Sequence, residues 1–114
     1  MHEGALAQSA LELVLETAKA NGATRVTAIH LNVGVLAQVN ADSLSFWLSS
    51  LAEGGPAEGA AIEVSEIAAE GECGNCTRRY PVEPPTWSAK CPTCGGPGEL
   101  IVGRELAVSS IEVE

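Results

Sequence analysis

The residues of this 114-residue chain best placed to do chemistry are four cysteines in two close pairs. Cys73-Gly74-Asn75-Cys76 and Cys91-Pro92-Thr93-Cys94 are separated by fourteen residues. Each C-x-x-C pair can wrap one side of an ion, and two pairs complete a tetrahedral tetrathiolate shell. Zinc is the default occupant, and with sulfur in all four positions it would be structural rather than hydrolytic. Rubredoxin-like iron and a thiol/disulfide switch are the alternatives on the residues alone. Gly95 and Gly96 permit the tight turn in which backbone amides face the sulfurs. Arg78, Arg79 and Lys90 stand close enough in sequence to offset the negative charge of a zinc tetrathiolate.

A second donor set opens the chain. In Met1-His2-Glu3 an α-amine, backbone amide nitrogens and an imidazole fall within a few atoms of one another. Four nitrogens in a plane suit nickel(II) or copper(II), not zinc. The plainer reading is a surface histidine, with Glu3 interacting favourably with the start of a helix. Both stay open on spacing alone. His30, the other histidine, falls mid-strand and reads as a surface or hydrogen-bonded side chain rather than a ligand. Nowhere does the sequence pair a nucleophile with a base, form a phosphate-binding glycine loop or leave a zinc position open, so no enzyme is expected.

These groups need elements to position them. Leu6, Ala10, Leu13, Val14 and Ala18 recur at helical spacing before Asn21-Gly22, which predicts an amphipathic helix over 5–20. Residues 25–33 alternate, with Thr27, Ile29, Leu31 and Val33 on one face, and predict a strand. Asn40 or Asp42 can cap a second helix, whose Leu44, Trp47, Leu48 and Leu51 form one stripe read as core. Ile62, Val64 and Ile67 suggest another strand. Residues 100–113 read as extended, with a change of phase across Ser109-Ser110 that a β-bulge would reconcile. A final strand needs a sheet to join, so the cysteine module is expected as an insertion in one α+β domain.

Composition supports that division. Residues 71–98 hold all four cysteines and five of the six prolines, with Val82 the one aliphatic side chain larger than alanine. Apolar burial alone would not hold such a segment. The whole chain carries six basic and fifteen acidic residues, a net charge of −9, opposite in sign to a chain that neutralises phosphates. Nucleic-acid binding by the ribbon through Arg78, Arg79, Tyr80, Trp87 and Lys90 is therefore the weaker alternative. No run approaches the ~18–20 apolar residues of a membrane span, and the start has no secretory pattern. A cytoplasmic protein is expected, where thiols bind metal more readily than they pair as disulfides.

Taken together, Met1-His2-Glu3, the strand closing at Leu31–Gly34, the two cysteine pairs and Gly103-Arg104-Glu105-Leu106 resemble the HypA/HybF family along the whole chain. These are nickel-incorporation accessory proteins of nickel-iron hydrogenase maturation. The resemblance implies a nickel-binding α+β domain at 1–70 and 99–114, with two helices on a three-stranded mixed sheet. A zinc-ribbon-like domain at 71–98 would be inserted into it. Nickel(II) would be a transient cargo held at Met1, His2 and Glu3, through the His2 imidazole and backbone nitrogens. One structural zinc would sit on Cys73, Cys76, Cys91 and Cys94. Implied partners are a nickel-delivery GTPase, the hydrogenase large subunit and, in some organisms, urease maturation proteins, with neither nucleic acid nor membrane. Some members add a second imidazole from the zinc domain; this chain has no histidine beyond His30, so that version cannot operate here.

Overall fold

The computed structural model describes residues 3–114. Its elements are α1 (Glu3–Ala20), β1 (Val26–Gly34), α2 (Ala41–Ala52), β2 (Ala61–Ile67), β3 (Glu70–Cys73), β4 (Arg79–Pro81), β5 (Gly98–Val102) and β6 (Leu106–Val113). The architecture is α+β, with strand orders β2-β1-β6 in one sheet and β4-β3-β5 in the other. The chain divides into two compact units. One comprises the described residues up to Asn32, Val39–Ser65 and Leu106–Glu114; the other comprises Val33–Gln38 and Glu66–Glu105.

The first unit is built as its pattern requires. α1 closes on a Schellman turn, in which Ala23 N–H donates to the Ala18 carbonyl and Gly22 N–H to that of Lys19. Between the two candidate caps of α2, Asn40 is the one used: its side chain accepts the Ser43 N–H at 2.9 Å. β1 lies between its neighbours. Thr27 Oγ1 donates to the Glu112 carbonyl and Ser109 Oγ to that of His30, so β1 and β6 run antiparallel. Val26 N–H bonds Pro56 and His30 stands beside Glu63, so β1 and β2 advance together, the sense a helical crossover gives. Val14, Ile29, Leu31, Leu44 and Leu48 fill the core.

The stripe on α2 is narrower than its pattern suggested. Leu44, Leu48 and Ala52 are buried at successive i, i+4 steps, whereas Trp47 and Leu51 lie at the edge of that arc and are 39% and 41% exposed. Leu13, expected on the inner face of α1, is likewise 51% exposed, and Ala7 takes a buried place instead. Along β6, Leu106, Val108 and Ile111 are half-buried, and Ser109 and Ser110 are both exposed. The inward phase therefore slips there by one residue, as a bulge would make it do, although Val113 does not follow Ile111 inward.

The stretch 100–113, read as one extended segment, is two strands belonging to different sheets. Gly103 makes the break. Its φ is +129°, and a Cβ there would stand 2.8 Å from Ala69 Cα and Cβ, so no other residue fits without moving the backbone.

Candidate metal centre

In the second unit β3 is the central strand, antiparallel to both β4 and β5, and Cys73 ends it opposite Gly98. The strand delivers the first cysteine to the end of the sheet, where the chain turns back. There Asn75 and Cys76 N–H groups donate to Cys73 Sγ at 3.3 and 3.4 Å. The second pair arrives on a turn in which Gly95 N–H bonds the Cys91 carbonyl and Gly96 N–H reaches Cys94 Sγ at 3.4 Å. Gly95 has φ +71°, and a Cβ on Gly96 would press on Asn75 Nδ2, so both glycines serve the turn in the way their type suggested. The first knuckle has no glycine at the equivalent place and sets Thr77 at φ +57°.

The four thiols converge. Cys73 Sγ lies 3.5 Å from Cys94 Sγ, Cys76 Sγ lies 3.8 Å from Cys91 Sγ, and all four sulfurs fall within 4.8 Å of one another. A tetrahedron with zinc–sulfur bonds of ~2.3 Å has edges of about 3.8 Å. The sulfurs therefore already stand near the corners of a tetrathiolate shell, and the cluster fits a structural zinc site. Each cross-pair contact joins one cysteine from each C-x-x-C, so neither pair can be lost without opening the shell.

The surroundings favour thiolate at Cys73 and Cys91 and oppose it at Cys94. Cys91 is lowered to about 6 by backbone N–H donation from Cys94, with Thr93 adding to it against the opposing effect of burial. Cys73 is lowered by the Cys76 and Asn75 amides. Cys94 receives the Gly96 N–H, which lowers it, yet hydrogen bonds shared with Cys73 and Cys91 and its burial carry it up to about 11. Four thiols this close cannot all ionise without a cation between them. A divalent ion removes that conflict. Arg79, one of the cations expected to offset the sulfur charge, pairs with Glu70 at 3.2 Å.

What supports the shell was only partly visible in the sequence. Cys73 and Cys91 are buried with Ala69, Tyr80 and Val82, and Val35, Leu36 and Leu100 pack against that cluster. Tyr80 Oη donates to the Ala89 carbonyl, and burial together with the neighbouring thiols pushes its own ionisation up. Val35 and Leu36 come from the turn after β1, far from the cysteines in sequence, and no local pattern pointed to them.

Met1 and His2 lie outside the described residues. Glu3 begins α1, and its Oε2 accepts the Asn40 N–H at 3.1 Å, which joins the first turn of α1 to the cap of α2. Gly4 lies against the indole of Trp47. His30 is a hydrogen-bonded surface side chain: Nε2 meets Glu112 Oε2 at 2.9 Å and Nδ1 meets Glu63 Oε1 at 3.4 Å. The bond to Glu112, with the Glu63 carboxylate adding to it, raises its pKa above the ordinary 6.5. Glu105 accepts the Gly103 N–H at 2.7 Å and so braces the break between β5 and β6. A cleft of about 390 Å³ between α1 and β6 is lined by Leu6, Ala10, Leu13, Leu31, Leu106 and Val108, and offers packing surface rather than acid–base groups.

With this geometry in view, comparison with known proteins is direct. The family model described as hydrogenase/urease nickel incorporation, metallochaperone, hypA matches residues 1–113. This chain belongs to the HypA family. The hydrogenase maturation factor HypA of Rhizobium leguminosarum bv. viciae is 40% identical over 114 residues, covering 99% of both chains. That of Chlorobaculum parvum is 37% identical over 115 residues, covering 100% of each. The solution structure of the nickel metallochaperone HypA from Helicobacter pylori shares the fold at a TM-score of 0.75 and 20% identity, over 99% of this chain and 97% of that one. HypA proteins bind nickel and act as metallochaperones in maturation, not as enzymes. No helix among the described residues is long and apolar enough to cross a membrane.

Proposed function

We propose that this chain binds nickel(II) through Met1, His2 and Glu3, using the His2 imidazole and backbone nitrogens, and delivers it for maturation of the nickel-iron hydrogenase large subunit. Cys73, Cys76, Cys91 and Cys94 hold one structural zinc. A nickel-delivery GTPase assists the transfer, and the cytoplasm is where it occurs. The unit that contains both helices handles nickel, and the unit of Val33–Gln38 and Glu66–Glu105 carries the zinc. Urease maturation proteins are the alternative recipient.

One observation carries the reading: the HypA match starts at residue 1 and so includes Met1-His2-Glu3 together with the converging cysteines. Planar nitrogen donation suits nickel, while the thiolate tetrahedron suits zinc, so the two metals sort by donor type. Glu3, whose carboxylate accepts the Asn40 N–H, begins α1 directly after Met1 and His2 in sequence. Zinc supplies no turnover chemistry with four sulfurs around it; it fixes the ribbon. The test is nickel titration of the His2→Ala variant in zinc-loaded protein. Loss of the nickel site supports the proposal, and unchanged affinity overturns it.

A further inference from the structure

Two of the four aromatic side chains in this protein stand side by side on α2, facing water. Phe46 is 65% exposed and Trp47 39%. Their rings meet edge to face, with centroids 6.2 Å apart and planes at 75°. Leu51, one turn beyond Trp47 on the same side, is 41% exposed. Single exposed apolar residues are ordinary, but two exposed aromatic rings in mutual contact make a patch.

The position of the patch is what gives it meaning. A Cβ on Gly4 would stand 3.4 Å from Trp47 Cδ2 and Cε2, so the backbone there already lies against the indole. Glu3 holds the cap residue of the same helix. Trp47 is thus held against the first turn of α1, which follows the proposed nickel donors in sequence. Within α2 and its C-cap the charges are Asp42 and Glu53, with no basic residue.

We propose that Phe46 and Trp47 form the docking face for the protein that exchanges nickel with this chain, and that this partner meets them with an apolar socket edged by Lys or Arg. The inference rests on the nickel reading of the N-terminus given above. Transfer without release of the ion requires acceptor donors to come within bonding distance of the bound metal. A partner seated on Trp47 meets the first turn of α1 at Gly4, two residues along the chain from His2. Aromatic anchors filling a pocket carry most of the energy of such contacts, and acidic surroundings steer a cationic rim toward them. A second copy of this chain fits the face less well, since each copy carries a net charge of −9.

The experiment uses full-length, zinc-loaded, untagged protein and the purified nickel-delivery GTPase of the same organism, with wild type compared against Phe46→Ala and Phe46→Glu. Phe46 is exposed enough that both variants should fold, which an unchanged amide spectrum verifies. Nickel affinity without the partner should stay within about twofold of wild type, whereas affinity for the GTPase should fall at least about tenfold, further for Phe46→Glu against an apolar socket. Raising salt should weaken the wild-type complex. Partner affinity unchanged in both variants overturns the proposal, as does a complex that salt strengthens. If wild type self-associates and Phe46→Ala abolishes that instead, the face belongs to a second copy. Should wild-type protein fail to bind nickel at its N-terminus yet lose the GTPase on Phe46→Ala, the nickel reading fails while the docking face stands as a partner surface without its transfer role, and the exchange proposal falls with it.

Discussion

Removing zinc should unfold the cysteine unit and leave the helical unit standing. Apart from Cys73 and Cys91 themselves, the buried cluster around the shell is Ala69, Tyr80 and Val82. Burying a side chain of the valine to phenylalanine class contributes about 1.5–3 kcal/mol, so Tyr80 and Val82 together supply roughly 3–6 kcal/mol. Structural zinc contributes about 10–16 kcal/mol at neutral pH. The metal outweighs the apolar core by at least about 1.7-fold, and without it the short strands β3, β4 and β5 have too little to hold them. The first unit keeps Val14, Ile29, Leu31, Leu44 and Leu48 buried independently of the metal. Two-dimensional amide spectra recorded while a chelator removes the metal would follow both. The expected result is one zinc released per chain, with collapse of dispersion for 66–105 and retention for residues such as Leu48 and Ile29. A fully dispersed spectrum for 66–105 after complete zinc release would refute the reasoning.

Four further expectations follow from particular contacts. In a Trp87→Phe background, Trp47 fluorescence should fall when one equivalent of nickel binds, because quenching by energy or electron transfer to the bound ion needs proximity and Gly4 places the first turn of α1 on the indole; no change in emission alongside tight N-terminal binding would contradict the proposed site. Leu48→Ala, at a site with no exposure, should cost about 2–5 kcal/mol in denaturant unfolding, and a loss under 1 kcal/mol would mean that the α2 stripe is misassigned. Gly103→Ala meets a positive φ and the Ala69 backbone at once and should destabilise by roughly 1–3 kcal/mol or more, read as a lower thermal midpoint. His30 has a folded pKa raised above 6.5, so its contribution is fully present below 6.5 and is lost as pH rises through the folded value. An imidazole proton titration should show that raised pKa in wild type and its return toward 6.5 in Glu112→Gln; identical titrations would refute the bridge.

The zinc shell was legible because its chemistry is local. Two C-x-x-C pairs need only a turn apiece and a strand to bring them together, and the glycines of the second turn announced its geometry. Helices and strands of the first unit were legible for the same reason: Asn40 as cap, the Gly22 turn and the alternation of β1 are short-range signals. The sequence could not reveal which edge of an amphipathic stripe faces inward. Trp47 and Leu51 share helical spacing with Leu44 and Leu48, and only the placement of α1, with Gly4 against the indole, turns them to the rim. Nor could it reveal that Leu100 and Leu106 belong to different sheets, since an extended pattern looks the same on either side of Gly103 until Ala69 closes on it. Val35 and Leu36 were invisible as supports of the metal unit because their partners are more than thirty residues away.

The central claim, nickel held by the first three residues, is tested most directly by calorimetric titration of untagged, zinc-loaded protein beside a version extended by one residue before Met1. The extension turns the α-amine into an amide and moves the imidazole away from the chain end, while leaving the zinc shell untouched. About one nickel bound by wild type and loss of that site in the extended protein is the predicted result; equal nickel binding by both would contradict the account.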